Sequence, residues 1–77
     1  MSLYQYKFQI LAILSDNLRN TRPQLVPTAT IAGKTGMQLR KLQQILKTMD
    51  GMGIIQTDSD LQYNLITRKG LDSLGKH

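Results

Sequence analysis

Several residue types are missing from this chain, and each absence excludes a class of chemistry. The 77 residues include no cysteine, no tryptophan and no glutamate, and the single histidine is His77 at the end of the sequence. Without cysteine there is no disulfide framework, no thiolate nucleophile and no Cys-ligated zinc or iron–sulfur cluster. The carboxylates form no pair at helical spacing. We therefore expect no enzymatic activity, no metal site and no cofactor.

Long apolar runs are also missing. The longest, residues 8–14, is interrupted by Gln9 and is far shorter than the roughly 20 residues that span a bilayer. This favours a cytoplasmic protein without membrane contact. The length predicts a single domain over residues 1–77, because domains typically have about 100–150 residues. The opening Met1-Ser2-Leu3 is compatible with a cloning remnant, and the whole chain is compatible with one domain of a longer protein.

The acidic residues are few and unevenly placed. Ten lysines and arginines stand against five aspartates, which gives a formal net charge of +5. No acidic residue lies between Asp16 and Asp50, whereas Asp58, Asp60 and Asp72 fall in the last third. The acid-free stretch contains six cations: Arg19, Arg22, Lys34, Arg40, Lys41 and Lys47. This layout favours an anionic partner for the middle of the chain, with a solvated basic surface as the alternative.

Apolar spacing predicts a first helix over residues 3–18. Ile10, Leu14 and Leu18 recur at i, i+4 and i+8, as on one face of a helix. Tyr4 and Phe8 extend the apolar surface beyond one such face. Either this helix is central in the domain, or its second side meets another subunit. Tyr4 and Phe8 are therefore the candidates for a homodimer interface.

Two further helices follow an extended connection. Prolines in residues 19–27 disfavour helix there, and Leu25-Val26 is a candidate short strand. Thr28 is the expected N-cap of a short second helix that Gly36 ends. A third helix is predicted over residues 38–50, where Leu42, Ile45, Leu46 and Met49 form one apolar stripe, with Gly51 and Gly53 ending it.

The last third changes from helical to strand periodicity. Residues 54–57 and 61–65 are predicted strands, and the second alternates apolar with polar residues. Asp58-Ser59-Asp60 between them is typical of a turn, so the two form a hairpin. Thr67 is an N-cap candidate for a short last helix with Leu71 and Leu74 facing inward. The predicted fold class is α+β, mainly helical: a three-helix core, a two- or three-stranded antiparallel sheet and a short C-terminal helix.

Two separate stretches carry a family resemblance. The first begins with Ile31-Ala32-Gly33-Lys34-Thr35-Gly36-Met37, continues through the apolar stripe of the third helix and ends with Gly53-Ile54-Ile55. The second is Tyr63-Asn64-Leu65-Ile66-Thr67-Arg68-Lys69-Gly70-Leu71. In this order and separation they resemble the winged helix-turn-helix family over residues 8–74. The resemblance is to single-domain cores of MarR-like and related archaeal and bacterial regulators. It implies double-stranded DNA binding in transcription regulation, with the helix 38–50 in the major groove and the β-hairpin as a wing.

The resemblance assigns roles to the outward face of the third helix. Arginine and glutamine can each bond a base edge in bidentate fashion, which makes Arg40, Gln43 and Gln44 the base-contact candidates. Phosphate contacts set the register without reading sequence. The candidates for these contacts are Lys34, Thr35, Gln38, Lys41 and Lys47. Leu39, at the margin of the apolar stripe, is either partly buried or placed to touch a thymine methyl.

The predicted wing departs from the family's DNA-binding pattern. Asp58-Ser59-Asp60 places acids at its tip, where many members carry cations. Phosphates would repel these acids, so the wing either avoids DNA or faces a protein partner. A winged-helix adaptor for protein–protein interaction is therefore the alternative function. Operators are commonly read by dimers with helices about 34 Å apart, so we expect a homodimer. The sequence assigns no small-molecule effector.

Overall fold

Four helices and one three-stranded sheet make up the part of the chain that the structure describes. It is a computed structural model and describes residues 3–18 and 25–75, with only the backbone at residues 3 and 4. The helices are α1 (Leu3–Asn17), α2 (Thr28–Thr35), α3 (Leu39–Gly51) and α4 (Arg68–Ser73), and the strands are β1 (Val26–Pro27), β2 (Ile55–Thr57) and β3 (Tyr63–Ile66). The sheet is antiparallel with order β1-β3-β2. The predicted class, α+β and mainly helical, is confirmed.

Helix α1 occupies the centre of the fold. Its residues Ile10, Leu11 and Leu14 are completely buried, and α1 contacts α2, α3, α4 and β3. Because α1 contacts four other elements, a central position already accounts for a wide apolar surface. Phe8 is half-buried, and the side chain of Tyr4 lies outside the described residues. The homodimer interface stays a prediction.

Backbone conformation at two glycines ends α2 and reverses the chain after α3. Gly36 adopts φ 72°, and its N–H donates to the carbonyl of Ala32 at 2.9 Å, as the sequence predicts. Gly53 adopts φ 79°, but Gly51 lies inside the last turn of α3, so the helix ends later than predicted. The short stretch of residues 36–38 between α2 and α3 holds the two helices next to each other.

The expected capping role of Thr28 is wrong. The N-cap of α2 is Pro27, with φ −61° and ψ 140° and no side-chain hydrogen bond, and Thr28 is the first residue of the helix. The Thr28 hydroxyl donates to the carbonyl of Leu61 at 2.7 Å, and its backbone N–H donates to the carbonyl of Gln62 at 2.8 Å. The hydroxyl and the backbone N–H of Thr28 are therefore used in tertiary hydrogen bonds to the hairpin, and not in capping α2.

The second strand of the hairpin is also shifted relative to the prediction. The side chains that β3 buries are Asn64 and Ile66, while Tyr63 is 48 % exposed. The core thus lies on the face opposite to the one that the apolar residues of 61–65 suggest. The reason is that Asn64 is hydrogen-bonded inside: its Nδ2 donates to the Val26 carbonyl at 3.1 Å and to Thr28 Oγ1 at 2.8 Å.

Helix α4 begins at a cap that also connects it to the end of α3. The Thr67 hydroxyl accepts from the N–H of Gly70 at 3.1 Å and donates to the carbonyl of Gly53 at 2.6 Å. This confirms the N-cap prediction. Leu71 and Leu74 pack against the core, as expected. Among the described residues no helix is long and apolar enough to cross a membrane.

Gly70 is the closest approach between α4 and the start of the hairpin. A Cβ built there would overlap the Ile54 carbonyl group and come within 2.8 Å of Ile66 Cγ1. We expect Gly70→Ala to lower the free energy of unfolding by about 1–3 kcal/mol or more, because the backbone must move. Gly33→Ala is the matched control: nothing lies within 4 Å of its Cβ, so it should stabilise the helix by about 0.5–1 kcal/mol. Urea denaturation measures both, and equal effects would contradict this account.

Asn64 supplies the buried polar contact between β3, β1 and α2. We expect Asn64→Ala to lower the free energy of unfolding by about 1–3 kcal/mol, because it leaves the Val26 carbonyl without this donor. Gln56→Ala, at an exposed position of the neighbouring strand, is the control and should change it by no more than about 0.5 kcal/mol. Denaturant titration of both variants, monitored by circular dichroism, measures the two changes in the free energy of unfolding. A loss at Asn64 as small as that at Gln56 would show that the amide contributes nothing.

Candidate nucleic-acid interface

Helix α3 has one buried and one exposed face. Leu42, Leu46 and Met49 are packed in the core, and this fixes the rotation of the helix about its axis. Residues at i, i+4 and i+7 share a face, so Arg40, Gln44 and Lys47 lie together along the opposite side. All three are exposed. The exposed face therefore presents a guanidinium, an amide and an ammonium in one row.

The three base-contact candidates are not equivalent. Arg40 and Gln44 are exposed, whereas Gln43 is half-buried. Gln43 lines a hollow of about 280 Å³ between α3, the start of α2 and the base of the hairpin. Leu39 lines the same hollow and is 50 % exposed, which leaves half of its side chain accessible beside Arg40. The structure thus groups Arg40 with Gln44 and turns Gln43 toward the hairpin.

The candidate phosphate contacts fall into two groups. Gln38 and Lys47 are exposed near the two ends of α3. Lys34 and Lys41 are exposed too, but each lies next to α1. The Lys41 ammonium is 5.1 Å from the centre of the Tyr6 ring, a cation–π contact worth about 0.5–1 kcal/mol at an exposed site. Lys34 lines a hollow with Asp16 of α1.

Thr35 has a structural role at the end of α2. Its hydroxyl donates to the Ile31 carbonyl at 2.8 Å and accepts from the N–H of Met37 at 3.4 Å. The side chain is half-buried. Its proton is therefore engaged within the protein, and a phosphate contact by the Thr35 hydroxyl would require this bond to break.

The turn of the hairpin is held together by an acidic side chain. Asp58 Oδ1 accepts from the backbone N–H groups of Tyr63 at 2.9 Å and Gln62 at 2.7 Å. The Tyr63 bond is the main cause that holds the pKa of Asp58 below its ordinary value of 3.8. Leu61 closes the turn with φ 58°, in the left-handed region. The turn is thus anionic at neutral pH, and the two backbone N–H groups favour the charged form of Asp58.

Two residues that hold the hairpin against β1 and the start of α2 were not predicted from the sequence. A buried hydrogen bond joins Asn64 of β3 to Thr28 of α2, and a part-buried one joins Thr28 to Leu61 before β3. No sequence pattern at these residues predicts the pairing. One signal was present: Asn64 interrupts a run of strand-forming residues. A buried asparagine in a strand requires partners, and these lie 36 and 38 residues away along the chain.

Within residues 3–18 and 25–75 there is no cluster of three or more histidine or carboxylate side chains that could hold a metal ion. Comparison with known proteins gives no match: no family model fits the chain, and no curated protein or solved structure is significantly similar to it.

Proposed function

We propose that this chain is a winged helix-turn-helix domain that binds double-stranded DNA and acts in transcription regulation. The observation that carries the proposal is the exposed row Arg40, Gln44 and Lys47 on α3. Two features support it: α3 follows α2 after a turn that Gly36 makes in the left-handed conformation, and a hairpin follows α3. Two adjacent helices joined in this way form the motif that presents its second helix to the major groove.

The dimensions of α3 fit this role. With 13 residues the helix is about 20 Å long at about 1.5 Å per residue, and the major groove of about 12 Å admits one helix. Arg40 would donate to O6 and N7 of a guanine, and Gln44 would exchange two hydrogen bonds with an adenine. Lys47 would pair with a phosphate. No acidic residue lies from the start of α2 to Asp50, so nothing on α3 before that point repels the backbone.

The hairpin has a different relation to DNA in this proposal. Asp58 and Asp60 at its turn are exposed, and their charge opposes close approach to phosphates. The hairpin therefore remains outside the contact. The same acidic turn favours the second candidate function, an adaptor that binds another protein and not DNA.

A homodimer completes the proposed mode of binding, because two copies read two half-sites about 34 Å apart. We expect light scattering after gel filtration at high protein concentration to give twice the chain mass of 8.7 kDa. Phe8→Ser should shift the equilibrium toward monomer if the dimer forms through α1. A strictly monomeric wild type would contradict the dimer while leaving DNA binding open.

Charge removal on α3 tests the DNA contact. A preferred duplex is first selected from a random library, and binding is then followed by fluorescence anisotropy over a salt series. We expect Lys47→Ala to weaken binding to every duplex, whatever its sequence. The slope of log affinity against log salt concentration should become less steep by about 0.9. Arg40→Ala should lower affinity by about 1–3 kcal/mol and relax preference at one base pair.

Arg68→Ala on α4 is the matched control, since it removes the same charge from an exposed position outside α3. It should leave the base preference unchanged and alter the affinity much less than Arg40→Ala. Absence of duplex binding at about 50 mM salt, where phosphate contacts are strong, would reject the DNA proposal in favour of the adaptor.

A further inference from the structure

Within residues 3–18 and 25–75, no helix packs apolar side chains against the second face of the sheet. Val26 and Asn64 point into the core, so their neighbours Pro27 and Tyr63, which are paired across β1 and β3, point outward. On β3 the next outward residue is Leu65, and Leu25 directly precedes β1. Leu25 is 45 % exposed and Tyr63 is 48 % exposed. We call Leu25, Pro27, Tyr63 and Leu65 the outer sheet face.

A hollow of about 410 Å³ lies on this face. Leu25, Tyr63 and Leu65 supply its apolar lining, and Asp50 and Asp58 supply two carboxylates. The remaining lining residues are Gln56 and Thr57, so none of the described residues around the hollow is a lysine or arginine. The hollow is thus apolar and acidic, on a chain whose net charge is +5.

Charge decides which kind of molecule this hollow accepts. Two of the chain's five acidic residues line it, so a nucleic acid is repelled here. A second copy bound symmetrically is disfavoured as well, because a two-fold contact places the same patch of both copies together. Asp50 and Asp58 of one copy would then face those of the other. An apolar floor with acidic side chains is complementary to an apolar segment that carries cations.

We propose that the outer sheet face is a docking site for a short segment of another protein, in which leucine-like side chains alternate with lysine or arginine. The apolar side chains cover Leu25, Tyr63 and Leu65, and the cations pair with Asp50 and Asp58. The site does not involve Arg40, Gln44 or Lys47. It therefore stands whether or not α3 binds DNA.

A blocked pentapeptide of alternating lysine and leucine, with lysine at both ends, is the probe. Its addition to the ¹⁵N-labelled chain should shift the amide resonances of Gln56, Thr57 and Leu65. The same peptide with glutamate for lysine, or with serine for leucine, should shift them far less. Equal shifts with the lysine and glutamate peptides, or no shift at millimolar lysine peptide, would overturn the proposal.

Charge variants complete the test. Asp50→Asn should weaken binding of the lysine peptide about two- to fivefold, the range expected for one exposed ion pair. Asp72→Asn removes the same charge from α4, outside the hollow, and should leave the affinity unchanged. Leu25→Ser, at a half-exposed position, should weaken binding without unfolding the chain, which its unchanged circular dichroism would verify. Equal effects of the Asp50 and Asp72 variants, or shifts of the same three amides by a short DNA duplex, would reject the site.

Discussion

The buried amide of Asn64 is the contact on which the arrangement of the fold depends. Its Nδ2 binds the Val26 carbonyl and the Thr28 hydroxyl, and that hydroxyl in turn binds the Leu61 carbonyl. One short network therefore joins β1, the start of α2, β3 and the turn that precedes β3. An apolar side chain would fill the same space in several registers, whereas directional hydrogen bonds permit one. The network sets the position of the hairpin relative to β1 and α2, while β2 contacts α3 directly.

The cost of such a network explains why its members are buried together. A hydrogen bond contributes about 1 kcal/mol net, but a buried polar group left unpaired costs about 1–3 kcal/mol. Thr57 and Asn64 are paired across β2 and β3, and neither Asn64 Oδ1 nor Thr57 Oγ1 has a hydrogen-bond partner among the described residues. The amide thus makes two hydrogen bonds and leaves one oxygen unpaired, in keeping with a role in fixing register more than in adding stability.

The sequence predicted the features that depend on near neighbours along the chain. The stripes of α1 and α3, the left-handed stop at Gly36 and the cap at Thr67 each rest on residues a few positions apart, and the structure confirms them. It did not predict the burial of Asn64 or the use of Thr28, because their partners lie more than 30 residues away. The residues of the candidate interface also fall into a group that the sequence predicts and a group that it does not. The exposure of Arg40 and Gln44 follows from helix periodicity, while the positions of Gln43 and Lys41 depend on the hairpin and on α1.

Charge separates the surface of this small chain into two regions. The exposed face of α3 is cationic, and the hairpin turn with the hollow beside it is anionic. Under the two proposals above, the cationic region binds DNA and the anionic region binds a cationic peptide segment, and the two sites share no residue. This division requires no second domain, because the hairpin network holds the acidic turn at a fixed place beside the helices.

Gly70 has a consequence for how sequences of this fold can vary over evolution. Core positions such as Leu42 or Ile55 accept exchanges among leucine, isoleucine and methionine, since volume and apolarity are preserved. At position 70 the Ile54 backbone occupies the place of a side chain, so no exchange preserves the packing. A chain that keeps this architecture can therefore exchange apolar residues of the core, but not the glycine three positions after Thr67. The constraint at position 70 comes from the backbone, so a substitution elsewhere in the core relieves it only by moving the Ile54 carbonyl.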